Sequence, residues 1–593
     1  HLLVVIPGPK EPSLEEINHI LALATRELKV LYTGICLDAY GYSDPVEVHA
    51  AVECHSSDAP AAAKVKGSAG HSHTLLCSFC EVTQDQLQTA EAYVYSKLRL
   101  RDEFEMLRYS FLSKDASTKK ARKQILDESG KRFSAMDELV GWSPVSSSAV
   151  DFMHNFYGIA KYMFSTLLID GYLLDAKRWW SLQAVVNSIQ WPSCVGRLPN
   201  NLGENRGLPK ADQWRRWVNI QTTVLWCVWR DENDKLAGSE ASPIPHNASK
   251  RPTFTRDISR IYRLFLYASI AERILASRQI TLDDVKRGHG FIQDLCRDLV
   301  RLNVHMVPNC HYALHYPVFY ERFGPVYAWW LFAHERFNGI LADVNLNGRP
   351  WGEMELTLMR NWQYKLRLYE LVFTLPPDAT EYERAELKSI CREQGAVRGT
   401  LGTQIEAFAH GASTINTPRR SSKTFINLRQ LEDGRLYLPL LYHLRRVFPH
   451  LTIGDEHDLR PHDTTFLAHK GTQRFPFISK DAIRYGSTAD TRTDSDQHAC
   501  VDFDGIKRIP CRIRYHFEIE LVGQAPVFSD HLGVSVAYAE QYHPVEIIPT
   551  SWLAAAVAIV PITAHTGPGL RRNLWVVHSF DRVSLPYTPH TPA

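Results

Sequence analysis

Asp58 is the first residue of the sequence whose type and position could serve metal chemistry. It follows the alternating stretch VEVHAAVECHSS, which predicts a β-strand. Many metal-dependent phosphoryl-transfer sites place a carboxylate where a strand ends, because the strand fixes it and the sheet edge admits the substrate. The alternative is a turn-forming aspartate before Ala-Pro, and Asp58 taken alone favours that turn.

Cys77 and Cys80 form a C-x2-C pair in the stretch LLCSFC. This spacing lets two thiolates bind one tetrahedral zinc ion, but two further ligands must come from elsewhere. The candidates are His71 with His73, or the distant pair Asp151 and His154. Two buried core cysteines explain the spacing equally well.

Asp151 and His154 lie three residues apart, so a helix would bring the carboxylate and the imidazole to one face. They precede the apolar run of VDFMHNFYGIAKYMF. The spacing alone favours a helix N-cap at Asp151 over a metal site. In NCHYALHYP, His311 and His315 share a helical face but lack the glutamate of an H-E-x-x-H motif, so we interpret that segment as structural.

Glu335 lies within the strongly aromatic segment FGPVYAWWLFAHERFNGIL. A carboxylate buried without a partner would be costly. We therefore expect Glu335 either to pair with a neighbouring arginine or to bind a cation.

The elements that must position these residues change in character along the chain. HLLVVIPGP predicts a buried strand, and Ser13 with Glu16 predicts a capping box before a helix. Helical periodicity then dominates, until Val, Ile and aromatic alternation predicts strands near the C-terminus. The predicted architecture is α/β plus α: strand–helix–strand over about the first 60 residues, mostly helical segments from about residue 84 to 375, and a β-rich region beyond about residue 500.

Composition sets broad limits on the function. The 593 residues are 45% hydrophobic with a net charge of +2, so any affinity for nucleic acid must come from local patches. Eleven irregularly spaced cysteines predict reduced thiols. No secretory signal is recognisable, and WLAAAVAIVPI is too short to span a bilayer. The sequence predicts a soluble, intracellular protein without a membrane partner.

Several of these stretches occur in the order typical of one family. VIPGPKEPSLEEINHIL, DAPAAAKVKGSAGHSHTLLCSFC, VDFMHNFYGIAKYMF, GLPKADQW and RFGPVYAWWLFAHERFNGIL resemble the transposases of CACTA-type (En/Spm-like) DNA transposons of fungi. The resemblance extends over about residues 1–375, and ordered blocks are more specific than any single motif.

The resemblance implies an RNase H-like core with a DDE triad that is interrupted by a helical insertion. The expected regions are then 1–83 (first core part), 84–300 (helical insertion), 301–375 (return to the core), 376–499 (helical and linker) and 500–593 (β-rich domain). Asp58 matches the second acidic residue of the triad and Glu335 the third, which implies two Mg2+ (or Mn2+) ions for DNA cleavage and transfer. Cys77 and Cys80 match the family's C-x2-C motif, and Asp151 with His154 its C/D-x2-H motif. We expect these two pairs to converge on one zinc ion that docks the insertion on the core.

The family's first aspartate lies on a strand that precedes LLVVIPGP, so we expect it upstream of His1 and expect this chain by itself to cleave DNA poorly. Implied partners are transposon-end and target DNA and a second copy of the chain, in the nucleus. TPRRSSK (417–423), LRRVF (444–448) and KKARKQ (119–124) are candidate phosphate contacts, although a solvated surface explains each as well. The alternative functions are a non-catalytic DNA- or protein-binding factor derived from such a transposase, and a zinc hydrolase using Asp151, His154, His311 and His315.

Overall fold

The computed structural model covers most of the chain, which divides into two compact units. Unit 1 comprises His1–Trp180, Asn201–Asp231 and Lys235–Gln394, and unit 2 comprises Ser181–Asn200, Glu232–Asp234 and Gly395–Ala593. The residues described are 2–6, 10–13, 15–39, 41–200, 202, 208, 210–236, 241, 243–248, 251–346, 352–373, 375–376, 378–386, 415–416, 426–455, 457–466, 472–480, 483–488, 494–503, 507–519, 521–523, 532–538, 546–549, 553–567 and 570–580.

Helices dominate the chain up to residue 373. They are α1 (Ile17–Thr33), α2 (Ala59–Lys66), α3 (Ala90–Tyr93), α4 (Glu103–Asp115), α5 (Lys119–Ser129), α6 (Phe152–Met163), α7 (Ala176–Ser188), α8 (Ala211–Trp229), α9 (Ile258–Leu275), α10 (Leu282–Arg301), α11 (Pro308–Tyr312), α12 (Tyr316–Phe323), α13 (Phe332–Ala342) and α14 (Glu353–Phe373). Among the described helices, none combines the length and apolar character that a membrane crossing requires.

Side-chain caps explain where many of these helices begin. A short oxygen-bearing side chain accepts a hydrogen bond from a first-turn backbone N–H that the helix itself leaves unpaired. The caps are Asp58, Asp102, Thr118, Asp151, Asp257 and Thr281. The predicted pair Ser13 and Glu16 also exchanges reciprocal hydrogen bonds ahead of α1. Local sequence therefore explains about half of these helix starts.

The apolar N-terminal stretch differs from its expected conformation. Residues 2–6 do not form a strand, and the side chain of Leu3 is 80% exposed. An isolated strand is unstable without a neighbour to accept its backbone hydrogen bonds, and no described strand pairs with these residues. The prediction of a buried strand here is wrong.

The short strands β1 (Ile35–Leu37) and β2 (Val46–Val48) form an antiparallel hairpin before the site. The next two strands, β3 (His55–Ser57) and β4 (Ser148–Val150), pair in parallel, with Ser57 opposite Val150. Asp58 and Asp151 come directly after them. Because parallel strands run in the same direction, both aspartates reach the same edge of this two-stranded sheet.

An aromatic cluster packs α6 against α12 and against the chain that leads into α13. Phe152 is fully buried at its centre, with ring centroids 5.0 Å from Phe156, 5.2 Å from Tyr316 and 6.2 Å from Trp329. Ser56 of β3 donates a hydrogen bond of 2.5 Å to the carbonyl of Trp329. The sheet edge, α6 and the start of α13 are thus held together by burial and by a direct hydrogen bond.

Unit 2 contains an antiparallel sheet, as the alternating C-terminal sequence predicts. The strands are β8 (Thr472–Phe475), β11 (His498–Phe503), β12 (Lys507–Ile519), β14 (Leu532–Tyr538), β15 (Glu546–Pro549), β16 (Leu553–Gly567) and β17 (Leu570–Ser579). Their order in the sheet is β15-β14-β12-β11-β16-β17, and β8 also pairs with β12. The prediction of a β-rich C-terminal region is confirmed.

Among the described residues of the region expected to be helical or linker, 376–499, residues 381–386 are helical, and a longer helix and several strands also occur. They are β5 (Ile415–Asn416), α15 (Tyr437–Val447), β6 (Ile453–Asp455), β7 (Thr464–Phe466), β9 (Phe477–Lys480) and β10 (Ile483–Gly486), and β13 (Leu521–Gly523) pairs with β7. Leu440 and Leu444 of α15 pack in one buried cluster with Phe466 and Phe517.

Unit 1 contains a buried ion pair between Lys131 and Asp137. The Lys131 ammonium is 2.6 Å from the Asp137 carboxylate, and the two side chains are only 3% and 0% exposed. Asp137 also accepts hydrogen bonds from Ser110 and from the indole of Trp142. Burial lowers the pKa of Lys131, and the charge of Asp137 opposes that shift. Each buried charge is therefore neutralised only while its partner is present.

We therefore predict that Asp137→Asn destabilises unit 1 by about 3 kcal/mol or more, because Lys131 is left as a buried charge without a counterion. The control is Glu138→Gln, since Glu138 forms ion pairs with Lys29 and Lys114 at 30% exposure. Exposed pairs contribute about 0–1 kcal/mol. Calorimetry of the full chain measures both; equal shifts for the two variants would contradict the assignment.

Candidate metal centre and acidic cleft

Four potential metal ligands meet in the interior of unit 1. The ligand atoms of Cys77, Cys80, His311 and His315 all lie within 4.8 Å of one another, and all four residues are buried. Cys77 Sγ is 3.4 Å from His315 Nε2, and Cys80 Sγ is 3.2 Å from His311 Nε2. Sulfur and nitrogen ligands of one tetrahedral zinc ion are separated by roughly 3.5 Å. This Cys2His2 cluster is therefore compatible with zinc.

Hydrogen bonds with Arg101 and with the carbonyl of Ala92 orient the ligands. Arg101 Nε donates to the carbonyls of Cys77 and Cys80, at 2.9 and 3.0 Å, and so closes the turn between the two cysteines. His311 Nδ1 lies 2.8 Å from the carbonyl of Ala92. Because a carbonyl only accepts, Nδ1 carries the proton and Nε2 faces the thiols with its lone pair.

The electrostatics of the cluster also suit a cation. Burial opposes ionisation of Cys77, but the hydrogen bond from Cys80 and the nearby His315 and His311 hold the pKa of the Cys77 thiol well below its ordinary value. The same hydrogen bond raises the pKa of Cys80, as burial also does. A metal ion that binds both thiolates would relieve this competition for one proton.

The expected partners of the two cysteines, Asp151 and His154, are not the residues that lie beside them in the structure. Asp151 and His154 are not part of the cluster, and His311 and His315, interpreted above as structural, take that place. His73 is also elsewhere, with Nδ1 accepting from the backbone of Leu75. The i, i+4 spacing of the two histidines was the signal for a ligand pair.

Asp151 instead organises the edge of the β3–β4 sheet. Its carboxylate is 1% exposed and accepts hydrogen bonds from the backbone N–H groups of Met153 (3.1 Å), His154 (2.8 Å) and Leu331 (2.8 Å). It also binds His154 Nδ1 at 2.6 Å. The N-cap interpretation of Asp151 is correct, and the same carboxylate also fixes the imidazole and the start of α13.

Asp58 and Glu335 both act on this imidazole. His154 Nε2 lies 3.8 Å from Glu335 Oε1. The hydrogen bond to Asp151 raises the pKa of His154 against the effect of burial, and the charges of Asp151, Asp58 and Glu335 raise it further. Asp58 caps α2 through one carboxylate oxygen, which accepts from Ala61 N at 2.8 Å. Glu335 thus contacts His154, and Asp58 lines a cavity together with that histidine.

Glu335 is not buried, contrary to the argument from its aromatic surroundings. Its side chain is 50% exposed, and α13 has no buried residue. Its aromatic neighbours in sequence, Trp329 and Phe332, pack against the α6 cluster instead. The carboxylate is therefore available to a ligand from solvent.

A cavity of about 470 Å3 adjoins these groups. Asp58, Asp151 and His154 line one part of it, and His71, Tyr162 and Asn309 line another. The unit therefore carries two different sites: a closed Cys2His2 cluster in its interior and an open acidic cleft at the sheet edge. No family model matches the chain, and no curated protein is significantly similar to it.

We predict that Cys77→Ser and His315→Gln each abolish bound zinc and lower the unfolding temperature of unit 1. A structural zinc contributes directly to folding, so its loss should cost several kcal/mol. Elemental analysis and calorimetry of the full chain measure the two effects. Cys54→Ser is the matched control. Asp151→Asn should keep its zinc; zinc loss in Asp151→Asn with retention in Cys77→Ser would show that the cluster is misassigned.

A pH prediction follows from His289, which is 5% exposed. Its Nε2 lies 3.0 Å from the carbonyl oxygen of Leu314, a residue that lies between His311 and His315 in the sequence. Burial lowers its pKa from 6.5 to about 4. Between these values the unfolded chain binds a proton that the folded chain does not, so stability falls as the pH falls from about 6.5 to about 4.

His289→Gln should remove that part of the acid sensitivity, which amounts to at most about 3 kcal/mol. Calorimetry at pH 7, 5.5 and 4.5, with the zinc content checked at each pH, measures the difference between wild type and variant. The variant's disadvantage at pH 7 should shrink on acidification. Exposed His49→Gln is the control, and a constant difference for His289→Gln would contradict the predicted linkage.

Proposed function

We propose that the chain carries the active site of a DDE-type DNA transposase, which cleaves and joins DNA strands at transposon ends with the help of divalent metal ions. The single observation that carries this proposal is that His154 lies 3.8 Å from Glu335 and lines one cavity with Asp58, although the helical segment separates the two carboxylates in sequence. The resemblance to CACTA-type transposases supports the same pairing. An RNase H-like core around β3 and β4 is part of the proposal.

Asp58 and Glu335 would hold the cations, Mg2+ or Mn2+, because hard oxygen ligands leave coordination positions open to phosphate. Bound there, the cations supply Lewis-acid stabilisation and activate water or a DNA 3′-hydroxyl. The residues of the chain provide the positions: β3 and the N-terminus of α2 fix Asp58, and Asp151 fixes the first turn of α13 through Leu331 N. The exposed carboxylate and the cavity give DNA access to both groups.

The Cys2His2 cluster would support this site rather than perform chemistry. A catalytic zinc keeps one coordination position for water, whereas here four buried protein ligands converge. We therefore do not propose the zinc hydrolase. Zinc would instead join the segment that follows Asp58 and α2 to the segment before α12, which leads on to Glu335.

DNA is the proposed partner and the nucleus the proposed location. Lys119, Lys120 and Lys123 are exposed on α5, and Arg446 is exposed on α15. Such side chains can contact phosphates without reading sequence. The segment 417–423 lies outside the described residues. A homo-oligomer would be expected where two transposon ends are handled together.

We predict that Asp58→Asn and Glu335→Gln each reduce DNA cleavage by at least about 1,000-fold, since loss of a metal ligand removes several kcal/mol of transition-state stabilisation. The assay uses the chain together with any coding sequence that precedes it in the gene, duplexes with the ends of the encoding element, and Mg2+ or Mn2+. Asp343→Asn, at the end of the same helix, should keep wild-type activity.

The alternative is a non-catalytic DNA- or protein-binding factor derived from such an enzyme. DNA binding that survives in Asp58→Asn and Glu335→Gln, with no metal-dependent cleavage by the wild type, would favour this alternative. Cleavage that is unchanged in both variants would place the active site elsewhere.

A further inference from the structure

We infer that a small cavity in unit 1 is a binding site for one monoatomic anion, of which chloride is the physiological example. The residues that line this cavity include Lys66, Ser68, Ser78, Arg101, Gly130 and Lys131. The cavity shares no lining residue with the acidic cleft. The inference therefore goes beyond the proposed function and does not depend on it.

The charge of the lining is positive. Lys66, Arg101 and Lys131 are 2%, 8% and 2% exposed, and no acidic residue lines the cavity. Asp137 neutralises Lys131, but no carboxylate of the described residues forms an ion pair with Lys66 or Arg101. The thiolates of the Cys2His2 cluster do not compensate the remaining charge, because a bound zinc ion takes up the charge of both. Two buried cations are thus left without a counterion.

The lining also offers more hydrogen-bond donors than acceptors. Lys66 Nζ donates to Ser78 Oγ at 2.9 Å and lies 3.9 Å from the centroid of the Phe79 ring, so two of its three hydrogens remain for another acceptor. Arg101 donates to backbone carbonyls through Nε and Nη1, whereas its Nη2 has no hydrogen-bond partner among the described residues. A Cβ atom on Gly130 would lie 3.2 Å from this Nη2, so the missing side chain leaves space beside the guanidinium.

An anion would lower the free-energy cost of these buried charges. Burial lowers the pKa of Lys66 to about 7. A charged group that is removed from water is destabilised unless an opposite charge and hydrogen bonds compensate it. An anion that accepts from both Lys66 Nζ and Arg101 Nη2 supplies both forms of compensation.

The size of the cavity selects the kind of anion. A volume of about 10 Å3 accommodates about one water-sized guest. This size excludes phosphate, carboxylates and nucleotides, and it suits a single halide ion. A water molecule would bring two hydrogens that need acceptors, and the hydroxyls of Ser68 and Ser78 are the only acceptors among the polar side chains of the lining.

The test uses bromide, which takes the place of chloride and scatters X-rays anomalously. We expect a crystal structure of the full chain grown with sodium bromide to show an anomalous peak in the cavity, within hydrogen-bonding distance of Lys66 Nζ and Arg101 Nη2. The peak should be absent from Lys66→Met, which keeps an apolar side chain over Phe79 and removes the charge. Lys64→Met is the matched control and should keep the peak, because Lys64 lies on the same helix but does not line the cavity.

A measurement in solution tests the same site. A ligand that binds only the folded chain stabilises it, so the unfolding temperature of the wild type and of Lys64→Met should rise as chloride replaces gluconate at constant ionic strength. Gluconate is too large for the cavity. The rise should be absent from Lys66→Met, whose stability without chloride should equal or exceed that of the wild type, because an apolar group has replaced a buried charge.

The absence of an anomalous peak from the wild-type cavity would overturn the inference, and density for a light atom at that position would assign the cavity to water. An equal chloride-dependent rise in the wild type and in Lys66→Met would also overturn it, since the anion would then bind elsewhere. The wild-type bromide structure decides by itself if Lys66→Met does not fold, because it requires no variant.

Discussion

The four hydrogen bonds to the buried Asp151 carboxylate are the interaction on which the cleft of unit 1 depends. A carboxylate at 1% exposure is tolerable only when donors surround it. These donors come from the first turn of α6, from the ring of His154 and from the residue that begins α13. Satisfying one charge therefore forces two separate parts of the chain, the first turn of α6 and the residue before α13, into fixed positions around the end of β4.

The remaining features of the cleft follow from that constraint. The parallel pairing of β3 with β4 brings Asp58 beside Asp151, and the hydrogen bond from Ser56 to Trp329 adds a second link between the sheet and the approach to α13. The Phe152 cluster supplies apolar burial behind these polar links. Glu335 lies on the exposed side of α13, so it is carried to the cleft by the packing of its neighbours rather than by its own burial.

The Cys2His2 cluster and the cleft differ in the way that structural and reactive sites generally differ. The first is closed, with four buried ligands. Arg101 donates to the carbonyl of Cys77, and His311 Nδ1 bonds to the carbonyl of Ala92. The second adjoins a cavity and has carboxylates that reach solvent. Tyr312 lies between the two histidines of the cluster and donates to the carbonyl of Leu76, next to Cys77, so the polypeptide would stay paired there even before a metal binds.

Sequence alone determined the local features, because caps, strand alternation and C-x2-C spacing depend on residues close together in the chain. It identified Asp58 at a strand end, Asp151 as an N-cap, Cys77 and Cys80 as a candidate ligand pair, and the β-rich C-terminal region. The assignment of partners was decided only by the tertiary structure, since His311 and His315 reach the cysteines across more than 230 positions. Their i, i+4 spacing marks a possible ligand pair, but it does not specify which cysteines they would meet. Burial differed from expectation for the same reason: whether residues 2–6 or Glu335 are covered depends on what packs against them, which spacing along one chain does not specify.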